Sequence, residues 1–156
     1  MLNCRIEGMN NSKPDLIIID LNLKLKKNLH LTKLNKKRKT YIVTTVTEKK
    51  KILPFKKKNY KIILIKSLCD KNDFILLFKK IFRIGYGRIL LETGLTFLSE
   101  LIKKKLLNEL YIFKSNKNLT LNGLNNISAS YIKNYKLHKI INVNLNEDKL
   151  YKIKIK

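Results

Sequence analysis

The chain has 156 residues and a formal net charge of +24, the length of one domain around a single core. Its two cysteines, Cys4 and Cys69, form no CxxC and no Cys/His cluster, which argues against structural zinc and for a reduced, cytoplasmic setting. No apolar run approaches the ~20 residues that cross a bilayer, and the polar opening residues are unlike a signal peptide, so no membrane partner is expected.

Met1 to Pro14 is polar and turn-rich, with one short pattern, Leu2-Asn3-Cys4-Arg5. Leu16 to Asp20 (LIIID) is a candidate buried strand of branched apolar residues that ends at Asp20. Leu21 to Leu34 alternates Leu with Lys or Asn, and that alternation does not suit a helical period; an irregular or short extended connection is expected. Thr40 to Thr45 (TYIVTT) is the next strand. Val46 to Lys58 is taken as a Lys-heavy link broken by Pro54, and Lys61 to Ile65 as a third strand. Asp70 is a plausible N-cap, with Asp73 as its capping-box partner. Phe74, Leu77, Phe78, Ile81 and Phe82 then form a helix face that Gly85 closes.

Arg88 to Phe113 (RILLETGLTFLSELIKKKLLNELYIF) is the stretch around which the rest is organised. Ile89-Leu90-Leu91 has the composition of a buried strand ending at Glu92, followed by a break at Thr93-Gly94. Leu95, Leu98 and Ile102 share one helical face, with Phe97 and Leu101 beside it. Lys103-Lys104-Lys105 meets the negative end of that helix, and Leu110 to Phe113 makes another strand. The expected unit is therefore βαβ. Such a strand-to-helix junction is where open α/β sheets bind anions, because the helix N-terminus presents N–H groups. Ser115 to Asn126 should be a loop. Tyr131, Tyr135 and Leu137 suggest a strand, then Lys139 to Leu145 another, a turn at 146–148, and a half-exposed strand at Leu150 to Ile155. The resulting class is α/β, with a mostly parallel sheet and antiparallel C-terminal strands.

The charge is discounted as a nucleic-acid footprint. Trp is absent, Ala occurs once at Ala129, and Arg occurs only at Arg5, Arg38, Arg83 and Arg88. That bias matches an AT-rich genome, and Lys is spread along the chain rather than gathered on one face. Lys36 to Lys39 and Lys56 to Lys58 are expected to be solvated loops, with no interleaved aromatics to form a stacking platform. His30 and His138 are isolated. Gly85-Tyr86-Gly87 with Gly94 has the wrong spacing for a dinucleotide fingerprint and suits a helix C-cap and turn. Glu92-Thr93-Gly94-Leu95-Thr96, with a carboxylate, a glycine and a first-turn hydroxyl, suits either a phosphate or cofactor edge or a plain tight loop.

Taken together, these segments resemble the C-terminal reductase domain of the bacterial bifunctional deaminase–reductase of riboflavin biosynthesis, which has a dihydrofolate-reductase-like fold. LLETGLTFLSELIKKKLLNELYIF is similar to that family's strand–Glu-x-Gly-Pro-Thr-Leu–helix–Asp-Glu–strand segment. PDLIIIDLNLKL resembles its Pro…Arg-(apolar)-Asp-Ser-x-Leu strand, TYIVTT the strand after it, and Leu2-Asn3-Cys4-Arg5 its Leu-x-x-Arg substrate loop. The resemblance implies a three-layer fold and the NADPH-dependent reduction of 5-amino-6-(5-phosphoribosylamino)uracil to its ribitylamino form. It implies substrate contacts from Leu2, Arg5 and Glu92, with Glu92 beside the reacting ribose. Gly94, Leu95, Thr96, Phe97, Leu98, Ser99 and Glu100 would line the cofactor. No metal is implied, and the full-length enzyme would be a homodimer.

Leu95 replaces the family's proline and Leu21 its serine, which removes one cofactor hydroxyl. The zinc-deaminase domain, the reductase's first strand and helix and the Asp before Leu2 are not in this chain. It is therefore expected to be an N-terminally incomplete reductase with little activity by itself. A competing expectation of another class is a small basic RNA- or ribosome-binding module, whose RNA affinity would fall steeply with salt.

Overall fold

Among the described residues, Thr40–Thr44 is the one strand buried at every position, and the N-terminal half is built outward from it. The computed structural model describes residues 14–26, 38–115, 135, 137, 139–143 and 147–155. They divide into two units, Met1–Arg88 and Ile89–Lys156. The calls at Leu2, Arg5, Cys4, His30, His138, Lys36, Lys37, Tyr131 and most of the loop 115–126 lie outside the described residues.

In the first unit β1 (Leu16–Ile19), β2 (Thr40–Thr44) and β3 (Tyr60–Leu64) form a parallel sheet in the order β1-β2-β3. Ile17 lies beside Tyr41, and Tyr41 beside Lys61; Ile18, Ile42 and Ile62 form the next row. Side chains alternate between faces along a strand, so each face carries its own core. Tyr41, Val43 and Ile63 pack with Leu77 and Ile81 on one side. Ile42 and Tyr60 pack with Phe55 on the other. A central strand buried on both faces needs apolar or β-branched residues throughout rather than an alternating pattern. That is why TYIVT is legible as a strand.

Phe55 belongs to helix α1 (Lys49–Lys56), and Leu77 and Ile81 to helix α2 (Lys71–Arg83). The unit is thus an α/β/α arrangement. Helix α1 corrects the expectation of a Lys-heavy link. Ile52 and Phe55, three apart, are its buried residues, and the surrounding lysines are its solvated face. Pro54 lacks the N–H for a backbone bond, and the helix ends two residues later at Lys56.

Asp70 caps α2 as expected. Its carboxylate accepts from the Asp73 N–H at 2.8 Å, and the Asp73 carboxylate accepts in return from the Asp70 N–H. Phe74, Leu77 and Ile81 are buried, whereas Phe82, expected on that face, is 68% exposed. The helix closes in a Schellman motif. The Gly85 N–H donates to Phe82 O, and the Tyr86 N–H to Ile81 O. Gly85 takes the left-handed φ of 105° that this position requires.

The second unit contains α3 (Leu95–Lys103), β4 (Glu109–Lys114), β5 (Lys139–Ile141) and β6 (Lys149–Lys154). Its strands are antiparallel in the order β4-β6-β5. Ile102, Leu110 and Ile153 form the core, with Leu98, Ile112 and Tyr135 packed against it. Helix α3 ends in the same hydrogen-bond pattern as α2. The Lys105 N–H donates to Ile102 O and the Leu106 N–H to Leu101 O. Here the left-handed residue is Lys105, with φ 55°.

Two expectations are corrected in this half. Ile89-Leu90-Leu91 is not a strand, and Leu90 is 76% exposed, so the expected βαβ unit is an αβ unit. A three-residue apolar run is short for a strand, and its backbone groups need a neighbouring strand that none of the described strands supplies. The expected parallel strands and antiparallel C-terminal strands are both present, but not as one sheet. The parallel and antiparallel strands form separate three-stranded sheets, so the class is α/β with two sheets.

Candidate functional site

The residues that suggest chemistry fall in two places, the strand termini of the parallel sheet and the segment leading into α3. In an open α/β sheet the carboxyl ends of the strands are the usual ligand edge. Here that edge is tied up locally. The Asp20 carboxylate, just past β1, accepts from the Lys24 N–H at 2.9 Å and the Leu25 N–H at 2.7 Å. It stabilises a tight turn in which Leu23 takes a left-handed φ of 53°. The hydroxyls of Thr44 and Thr45 both donate to Leu21 O, at 2.8 and 2.9 Å. Asp20 and the two threonines therefore join the ends of β1 and β2.

At α2 the Asp73 carboxylate accepts from the Ser67 hydroxyl at 2.6 Å and the Cys69 N–H at 2.9 Å. The Ser67 hydrogen bond, with help from Cys69, holds its pKa below the ordinary carboxylate value.

The amino end of the sheet carries a cluster that sequence spacing did not reveal. Asp15 accepts from the Lys39 N–H at 2.8 Å and from the Tyr86 hydroxyl. The Tyr86 hydroxyl also lies 3.4 Å from that of Tyr41, and the two rings meet edge to face. The Lys61 ammonium stands 5.6 Å from the Tyr41 ring centroid. Burial, then the hydrogen bond to Asp15, pushes the Tyr86 phenol well above its ordinary value. Such a phenol is a poor acid, and the cluster pins the end of α2 to β1 and β2. Next to it Arg38, expected in a solvated basic loop, is only 7% exposed.

In the second unit Glu92 is exposed on a segment without regular structure. Gly94 is the N-cap of α3, with extended backbone and no side-chain cap. Leu95 and Thr96 are exposed in the first turn, so this end of the helix presents backbone N–H groups at the surface. The next turn differs. Leu98 packs against the Ile102 core, and Ser99 is buried, its hydroxyl donating to Thr96 O at 2.7 Å. The Glu100 carboxylate meets Lys104 at 2.5 Å and Lys103 at 3.2 Å. Its pKa is lowered mainly by the hydrogen bond to Lys104. Of the seven residues from Gly94 to Glu100, the first turn thus suits an anion. Leu98 and Ser99 serve the core, and Glu100 is an anion already paired.

No group of His, Cys, Asp and Glu among the described residues is arranged to hold a metal ion. No helix among them is long and apolar enough to cross a membrane. The chain matches no protein-family model and no curated protein.

Proposed function

We propose that the chain is the reductase portion of a riboflavin-biosynthesis enzyme, reducing 5-amino-6-(5-phosphoribosylamino)uracil to the ribitylamino form with NADPH. One observation carries this reading. The two segments whose sequences resemble consecutive strands of that family, Leu16–Ile19 and Thr40–Thr44, are adjacent parallel strands in register, in an α/β/α unit. Helix α3, capped by Gly94 and beginning at Leu95, stands where the resemblance expects a helix after Glu92.

Gly94, Leu95, Thr96 and Phe97 are the residues suited to hold the cofactor's phosphate, through the backbone at the helix N-terminus. Glu92, exposed just before them, is the substrate contact. NADPH, when bound, supplies the hydride. The chain's own residues bind and orient, and the Glu100 carboxylate, occupied by Lys103 and Lys104, leaves the first turn free of a competing anion. A cytoplasmic location and a homodimeric assembly belong to the same reading.

The test is NADPH binding, followed by the change in reduced-nicotinamide fluorescence. The chain should bind NADPH, and Thr96→Glu, which places a negative charge in the first turn of α3, should weaken binding roughly tenfold. Addition of the phosphoribosylaminopyrimidine should alter the nicotinamide signal in the parent and less in Glu92→Gln. A chain that ignores NADPH and the pyrimidine alike would overturn the reading.

A further inference from the structure

The antiparallel sheet of the second unit has two unlike faces. Leu110, Ile112, Tyr151 and Ile153 share one, and the α3 core covers part of it. The opposite face follows from the register. Phe113 lies beside Leu150, and Leu150 beside Ile141; one row on, Tyr111 lies beside Lys152, and Lys152 beside Lys139. The last row pairs Glu109 with Lys154.

This second face is open. Phe113 is 66% exposed and Tyr111 is 42% exposed, while Lys139 and Lys154 are exposed beside them. Lys152 lies 5.5 Å from the Tyr111 ring centroid and is ion-paired to Glu109 at 2.6 Å. The Tyr111 hydroxyl also donates to Glu109, at 2.9 Å. Glu109 is the one carboxylate among the described residues of this face, and it is held between these two neighbours.

Two exposed rings on one strand, two residues apart, stand roughly 7 Å from each other on a rigid platform. Three ammonium groups lie in the rows beside them. Aromatic faces stack on unpaired bases whatever their identity, and lysines meet the backbone phosphates. A base-paired duplex hides the faces of its bases and does not suit such a surface. An anionic membrane fits less well. A patch that enters lipid keeps its cations at the rim, whereas Lys152 sits in the middle strand, next to Tyr111. The partner's charge is set by the face itself, where Lys139 and Lys154 stand exposed beside the paired Lys152 and Glu109.

We propose that this face binds single-stranded nucleic acid, with bases stacked on Tyr111 and Phe113 and phosphates met by Lys139 and Lys154. The inference does not rest on the reductase reading. It locates what composition alone could not, because the decisive feature is aromatic exposure next to the lysines rather than the total charge.

The test is binding of the full chain to a fluorescently labelled short oligouridylate, followed by anisotropy over a range of salt. Phe113→Ser and Tyr111→Ser should each weaken binding roughly tenfold, with circular dichroism unchanged because both rings are exposed. Tyr111→Phe should keep the affinity. Replacing Lys139 and Lys154 together by Gln should flatten the dependence of log K on log salt by about 1.4, at roughly 0.7 per phosphate contact on a single strand. Affinity unchanged in both serine variants would overturn the proposal, since binding would then be diffuse charge alone. Binding to anionic vesicles but not to the oligonucleotide, or self-association of the chain lost in Phe113→Ser, would overturn it too.

Discussion

β2 and β4 are both short apolar strands, yet they have opposite fates. β2 is buried at every residue, and β4 only at Leu110. The difference lies in what covers them. Helices α1 and α2 pack on the two faces of the parallel sheet, while the described core of the antiparallel sheet lies on one face only. The same apolar side chain is therefore structural at Ile42 and available at Phe113. Local composition does not separate the two cases, and the number of covered faces does.

Substitutions along the two strands sharpen this contrast. Ile42→Ala should be the costliest, about 2–5 kcal/mol, because the fully buried side chain leaves a cavity between sheet and helix. Denaturant unfolding would measure it, and a loss below about 1 kcal/mol would mean the site collapses to fill the space.

Tyr86→Phe should cost about 1 kcal/mol near neutral pH by removing the hydrogen bonds to Asp15 and Tyr41. The pH dependence has a definite sign. The folded pKa of Tyr86 lies above its ordinary value of 10.0, so the phenol stabilises the fold below about pH 10 and loses that contribution as pH rises through the folded value. The alkaline limb of a stability–pH profile should therefore be shallower in Tyr86→Phe.

At the acid end Asp73 acts in reverse. Its folded pKa lies below 3.8, so its contribution is present above that value and fades as pH falls towards the folded one. Asp73→Asn should flatten this limb in acid titrations, with a smaller effect than Tyr86→Phe. Phe113→Ser should change stability least, within about 0.5 kcal/mol, because its ring is largely in water already. A large loss there would mean that the open face of the second sheet is covered after all, and the contrast between the sheets would disappear.

Much of the fold was legible. LIIID, TYIVTT and KIILI are strands within a residue or two of where their composition puts them, and Asp70 with Asp73 marks the start of α2. These are local signals, carried by branched side chains and by spacing. Helix α1 was hidden because its solvated face is almost all lysine and Pro54 suggests a break, leaving Ile52 and Phe55 to carry the period. Ile89 to Leu91 misled in the other direction. An apolar run becomes a strand only beside another strand, and pairing partners are not written in the run itself.

At the candidate site, the first turn of α3 was legible from Gly94 and Thr96. The inward turn of Ser99 and the pairing of Glu100 depend on the tertiary core and on lysines one turn away. The Asp15–Tyr86 bond joins residues 71 positions apart, beyond the reach of any spacing argument.

The two helix ends that share one hydrogen-bond pattern differ in the residue that stands at the left-handed position. At Gly85 the left-handed position keeps the residue without a Cβ, and at Lys105 it does not. A lysine there carries strain of about 1 kcal/mol that glycine would relieve. Lysine in this chain thus reaches beyond the solvated faces into backbone geometry. It narrows the margin of stability at that position, and it leaves the helix end without the glycine by which such an end is ordinarily recognised. Lys105→Gly is a natural first step for anyone wishing to stabilise this protein without touching either of its proposed binding surfaces.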